Sequence, residues 1–141
     1  MIKSFSTCTG QAMYSRILVA EDNKMIQNVV FKFLNYMGFG VATADNGIEA
    51  LSVFQEDDFV LVLTDFNMPF MDGFSLAGHI KERSPFTPVI MLTGFDREVI
   101  GEKMEKGSVD YVIFKPFKLK DLQIIIDAAL KLEEGKHGRC A

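Results

Sequence analysis

Five short apolar runs punctuate the chain: ILVA (17–20), GVATA (40–44), VLVLT (60–64), VIML (89–92) and YVIF (111–114). Runs of this length without polar alternation suit strands buried on both faces, and a helical pattern follows each of them. After the first run, Ile26, Val29, Val30, Phe33, Leu34 and Met37 repeat at helical spacing on one face, and Gly38 closes the segment. Further helices are predicted over roughly 48–55, 73–83, 96–106 and 119–132. Five alternations of strand and helix with short connections predict an α/β fold, a parallel sheet with helices on both faces, because right-handed crossovers return each helix over the sheet. The strand order is not readable from the runs themselves. With the order 2-1-3-4-5, the switch point falls between the first and third strands, and ligands bind outside their carboxyl ends.

A chain of 141 residues is long enough for one domain with a sizeable core and too short for a second. Residues 1–14 have no period and read as a flexible leader, 15–132 as the domain, and 133–141 as a polar tail or the start of a linker. The net charge of -4 offers no basic field for nucleic acid or acidic membranes. Cys8 and Cys140 lie near opposite ends, outside the periodic segments, which argues against a disulfide scaffold or a CxxC metal site. No apolar run reaches the length of a membrane span and no signal peptide is recognisable, so the expected location is cytoplasmic.

The chemistry-bearing residues sit just past the predicted strand ends: Glu21 and Asp22 after the first, Asp65 after the third, Thr93 after the fourth and Lys115 after the fifth. In the order above they converge. Three carboxylates in one cleft repel, so either a pKa rises or a cation neutralises them, and Mg²⁺ with oxygen ligands is the economical answer. Lys115 and Thr93 supply a compact positive charge and a hydroxyl, groups suited to holding phosphoryl oxygens. Nucleophilic carboxylate, metal, lysine and hydroxyl together match phosphoryl transfer. Taken singly, each has a plainer reading: Asp22 as a helix N-cap, Asp65 as a turn residue ahead of Pro69, Thr93 as a strand-end turn, Lys115 as a solvated lysine. Their joint placement after four different strands is what outweighs those readings.

The segments ILVAEDN (17–23), LTDFNMPFMDG (63–73), MLTG (91–94) and FKPF (114–117) together resemble the receiver domain of two-component response regulators, over nearly all of 15–132. The resemblance implies a flavodoxin-like, doubly wound five-stranded parallel sheet of order 2-1-3-4-5 with five helices. It implies that Asp65 is the phosphoacceptor, Asp22 a direct metal ligand, Glu21 an outer ligand acting through water, and Asn67 a ligand through its backbone carbonyl. Thr93 is then the switch hydroxyl, Gly94 the small residue leaving room for the phosphoryl group, and Lys115 the site lysine, followed by a peptide bond to Pro116 that is cis in the family. The implied donor is a sensor histidine kinase or phosphotransfer protein. The receiver of the signal is an unspecified downstream protein or output domain, and a phosphorylation-linked dimer is compatible with this. Glu21 stands where many members have Asp. Val112 stands where the family has Tyr or Phe, while Tyr111 points to the other face. Valine has no ring to swing, so the signal is expected to travel through the fourth helix, with Gly101 in its middle and Val99, Ile100 and Met104 repacking.

Other functions fare worse. An aspartyl-phosphate phosphotransferase or phosphatase wants a second carboxylate two residues on as acid and base, and Asn67 cannot shuttle protons, so no turnover enzyme is expected. A phosphorylation-independent interaction module would be favoured by loss of Asp65, Asp22 or Lys115, and all are present. His79, in a predicted surface helix, and His137, in the tail, lack an orienting partner for carrying phosphate. Ile124 falls opposite the core stripe of Leu122, Ile125, Ile126 and Ala129 on the last helix and is a candidate for a docking face.

Overall fold

The computed structural model describes residues 15–137 apart from 96 and 106, with only the backbone of 132–137. The leader, Cys8, Asp96, Lys106 and Cys140 lie outside the described residues. Five strands, β1 (Arg16–Ala20), β2 (Gly40–Ala44), β3 (Leu61–Asp65), β4 (Val89–Thr93) and β5 (Tyr111–Phe114), alternate with α1 (Lys24–Tyr36), α2 (Gly47–Glu56), α3 (Gly73–Arg83), α4 (Arg97–Met104) and α5 (Leu119–His137). The strands form one parallel sheet in the order β2-β1-β3-β4-β5. This is the flavodoxin-like order implied by the resemblance.

Two apolar layers flank the sheet. Val62, Met91, Leu76, Ile80 and Ile100 pack beneath α2, α3 and α4, and Leu63, Ile90, Val30, Leu34, Leu122 and Ile126 beneath α1 and α5. The central strands β3 and β4 are buried throughout, and β1 everywhere but its first residue. The outer runs are not: β2 and β5 are mostly half-buried, because an edge strand has a neighbour on one side only. Strand alternation sends Val112 to the α2–α4 layer and Tyr111 to the α1–α5 layer, as the sequence pattern required.

Local chemistry sets the helix ends. Asn23 caps α1 by accepting from the Ile26 amide, Asn46 caps α2 and Asp72 caps α3. Gly38, at φ 100°, ends α1 in the left-handed region where glycine is cheapest. Two expectations are corrected. Val29 is 46% exposed, and the buried face of α1 is Gln27, Val30 and Leu34. The apolar spacing alone placed Val29 on the stripe although it sits at its margin. Helix α5 runs past the expected stop at 132 to His137, since Glu133, Glu134 and Lys136 are good helix formers and a single Gly135 costs only about 1 kcal/mol.

Two glycines are expected to respond oppositely to alanine. A Cβ on Gly73 would lie 2.3 Å from the Asp65 carbonyl oxygen, whereas one on Gly101 would meet no atom within 4 Å. Gly73→Ala is expected to lower stability by roughly 1–3 kcal/mol or more by overpacking. Gly101→Ala is expected to raise it by about 1 kcal/mol through helix propensity. Urea unfolding checks both, and shifts of the same sign would contradict this packing.

Candidate functional site

The register decides which side chains meet. Ala20 lies beside Thr64, so the residues that follow, Glu21 and Asp65, emerge from adjacent strands at the carboxyl edge of the sheet. Asp22 comes next on the same turn, and ligand atoms of Glu21, Asp22 and Asp65 lie within 4.8 Å of one another. Lys115 reaches over from the end of β5: its Nζ is 3.1 Å from Glu21 Oε1 and 3.3 Å from Asp65 Oδ1. Thr93 is wholly buried at the end of β4, and its carbonyl accepts from the Lys115 amide at 2.8 Å. The Lys115–Pro116 bond is cis, as the resemblance implied. The structure therefore brings Glu21, Asp22, Asp65 and Lys115 into one cluster. Thr93 and Gly94 stand at its β4 side, and Asn67 is exposed in the loop after Asp65.

Asp65 is held from several directions. The Phe66 amide donates to its Oδ1 at 2.8 Å, the Thr64 hydroxyl to its carbonyl at 2.9 Å, and the Gly73 amide to the next carbonyl, that of Phe66, at 2.8 Å. A side chain at position 73 would push this strand end away, which is the physical reason for glycine after Asp72. Between them the loop turns tightly, with Phe70 at φ 72° and the Met71 amide bonded to the Pro69 carbonyl.

The acidic residues differ in surroundings. Glu21 is 1% exposed and both its oxygens are engaged, Oε1 by Lys115 and Oε2 by the Asn23 amide. Burial pushes its carboxyl up to about 7 from an ordinary 4.5, with the Asp65 charge adding to the rise and the Asn23 and Lys115 bonds opposing it. Asp22 is exposed at the mouth, and because Asn23 supplies the α1 cap, Asp22 is not spent on that role. A donor set of clustered carboxylates with a neutralisation deficit suits a hard divalent cation bound through oxygen.

Sequence reasoning missed Gln27. Its buried amide donates to the Glu21 carbonyl at 2.8 Å, the Ala44 carbonyl at 3.3 Å and Asp45 Oδ1 at 3.0 Å, tying the ends of β1 and β2 to α1. Lys24 and Gln27 hold the Asp45 carboxyl below its ordinary range. The available signal was a polar residue inside an apolar stripe. Also missed was an aromatic group beside the site, Phe66 with Phe74 and Phe95, since three phenylalanines distant in sequence have no common spacing. His79 is half exposed on α3, 3.9 Å from Glu82 and apart from the cluster. The His137 side chain lies outside the described residues.

Comparison with known proteins points one way. The model of the response regulator receiver domain matches residues 17–127. The chain is 37% identical over 107 residues to the response regulator receiver protein CpdR of Brucella abortus, covering 76% of this chain and 89% of that one. It is 34% identical over 123 residues to the regulatory protein AtoC of Escherichia coli, covering 86% of this chain but spanning only 26% of that relative's length. Among solved structures, a CheY-like response regulator receiver domain protein from Methanospirillum hungatei superposes with a TM-score of 0.83 at 28% identity, over 89% of this chain and 100% of that one.

The Glu21 environment makes a pH prediction for the metal-free protein. A carboxyl that holds its proton more tightly folded than unfolded makes stability fall as pH rises from about 4.5 to about 7. Glu21→Gln removes that dependence. In EDTA, the melting temperature of the variant minus that of the wild type is expected to be larger at about pH 8 than at about pH 5. A difference that stays constant between them would show that Glu21 ionises freely.

Proposed function

The chain belongs to the response regulator receiver domain family, and from that premise we propose that it is a phosphorylation switch whose acceptor is Asp65. One observation carries the reading: Asp65 is clustered with Glu21 and Asp22 and bridged to Glu21 by a lone ammonium, that of Lys115. An Asp65 carboxylate oxygen attacks phosphorus, the bond from phosphorus to a donor phosphohistidine nitrogen breaks, and that nitrogen keeps the electron pair. Lys115 meets the charge of the incoming phosphoryl oxygens, and the Thr93 hydroxyl donates to one of them. Gly94 leaves space beside them, since a Cβ there would meet no atom within 4 Å. Mg²⁺ would be held by Asp22, Asp65 and the Asn67 carbonyl, with Glu21 as an outer ligand, and would supply the positive charge that the three carboxylates lack.

The donor is a sensor histidine kinase or phosphotransfer protein, and the output is a downstream protein or an attached domain. Because the chain spans 26% of AtoC and 89% of CpdR, both kinds of output are represented among its relatives' lengths. Among the described residues no helix is long and apolar enough to cross a membrane, which supports a cytoplasmic site of action. Asn67 in place of a second acidic residue supports a switch over a turnover enzyme.

Intact mass after incubation with a small phosphodonor is expected to show one added phosphoryl group, absent in Asp65→Asn and in EDTA. Labelling that survives either change would refute the assignment. Glu21→Ala is expected to weaken Mg²⁺ binding about 10–100-fold, as loss of an outer ligand does, and Asp22→Ala more than that; equal losses in a titration would contradict the ranking. Thr93→Ala is expected to accept the group while losing most of the spectral difference between free and phosphorylated forms.

A further inference from the structure

Val112 gives the α2–α4 layer no ring at its place on β5, where Phe114 is the strand's ring on that side, yet three rings lie beside the acceptor on other elements. Phe66 follows Asp65 directly, and its amide donates to the acceptor's Oδ1 at 2.8 Å. Its ring meets the Phe95 ring edge to face, centroids 4.8 Å apart at 88°. The Phe95 amide in turn donates to the Thr93 hydroxyl oxygen at 3.0 Å. On the far side, Lys103 of α4 lies over the Phe66 and Phe74 rings at 5.8 and 5.9 Å. One ring pair thus touches the acceptor, the threonine and α4.

We infer that the Phe66–Phe95 pair couples the state of Asp65 to the β4–α4 loop and α4, a role that rests on Asp65 being phosphorylated. Both ends of the pair feel the new group. At one end, formation of the acyl phosphate removes the formal negative charge of the carboxylate that the Phe66 amide faces, which weakens a charge-assisted hydrogen bond. At the other, a Thr93 hydroxyl that turns to donate to a phosphoryl oxygen gives up its geometry toward the Phe95 amide. An edge-to-face contact has a defined orientation, so rotating Phe95 breaks it outright. Phe95 is 44% exposed and has room to move, whereas Phe66 is 9% exposed and stays. With Phe95 released from Phe66, the β4–α4 loop that carries it shifts and takes the start of α4 with it. Phe95 is accordingly a positioning residue for Thr93 in the free state and the moving ring of the switch.

Phe95→Leu keeps apolar volume at a half-exposed place and removes the ring. Wild type, Phe95→Leu, Phe95→Tyr and Phe74→Leu are each treated with a small phosphodonor and Mg²⁺, and intact mass establishes labelling before hydrogen exchange is compared between free and phosphorylated forms over 97–104. The expected result is labelling in all four, with a change in α4 protection in wild type, Phe95→Tyr and Phe74→Leu that falls severalfold in Phe95→Leu. Phe74 meets the Phe66 ring edge to face as Phe95 does, so Phe74→Leu controls for mere loss of an aromatic contact to Phe66. A labelled Phe95→Leu whose α4 responds as fully as wild type, or a labelled wild type whose α4 does not respond, overturns the relay and leaves the acceptor standing. A wild type that is not labelled overturns both.

Discussion

The arrangement depends on a charge imbalance created where β1 and β3 end side by side. Glu21 and Asp65 leave adjacent strands with their carboxylates nearly buried, Asp22 joins them, and one ammonium faces the first two. If all are ionised, three negative charges meet one positive, a deficit of two in a place with little water. Desolvation and like charge both oppose this state, and the raised Glu21 carboxyl is how the metal-free protein relieves it. A divalent cation would balance the same sum without proton uptake. Lys115 suits its part because it arrives from β5, beyond β4, on a flexible stem that places a point charge between two carboxylates.

The surrounding sequence keeps these charges in place. Asn23 takes the helix cap and leaves Asp22 free; Gln27 fixes the carbonyl of Glu21; Gly73 lets α3 approach the backbone of Asp65. Each substitutes a backbone or amide contact for what would otherwise be another charged group. These three supports add no charge of their own, so the net charge of the cluster stays available for a cation.

Much of this was legible because the parallel sheet converts sequence position into spatial position. A polar residue directly after a buried run must emerge at the carboxyl edge, so Glu21, Asp65, Thr93 and Lys115 could be grouped before any coordinates were known, and β2, β5 and α3 match their predicted limits. What escaped had a physical reason in each case. Edge strands carry the same β-branched residues as central ones, so the half-exposure of β2 and β5 leaves no mark in composition. Gln27 went unread because two of its three partners are backbone carbonyls, which leave no mark in the sequence. Phe66, Phe74 and Phe95 left no signal as a group, since contacts between rings on a strand end, a helix and a loop obey no period.

The difference in how the helices are anchored explains where a small bias can act. Helix α3 buries Gly73, Leu76, Ala77 and Ile80 and is capped by Asp72, so shifting it exposes several apolar side chains at about 1.5–3 kcal/mol for each large one. Helix α4 has eight residues and buries only Ile100 among those described, with Gly101 exposed at its middle. Its other ties include Met104 against the same apolar layer, Arg97 over Phe114 at 4.1 Å and Lys103 over Phe66 and Phe74. Cation–π contacts at exposed positions contribute only about 0.5–1 kcal/mol each. Helix α4 is thus anchored by fewer buried side chains than α3, so a small bias shifts it more readily than it shifts α3. An element meant to respond must be weakly held by contacts that reach the acceptor, and in this chain the aromatic pair beside Asp65 meets both conditions.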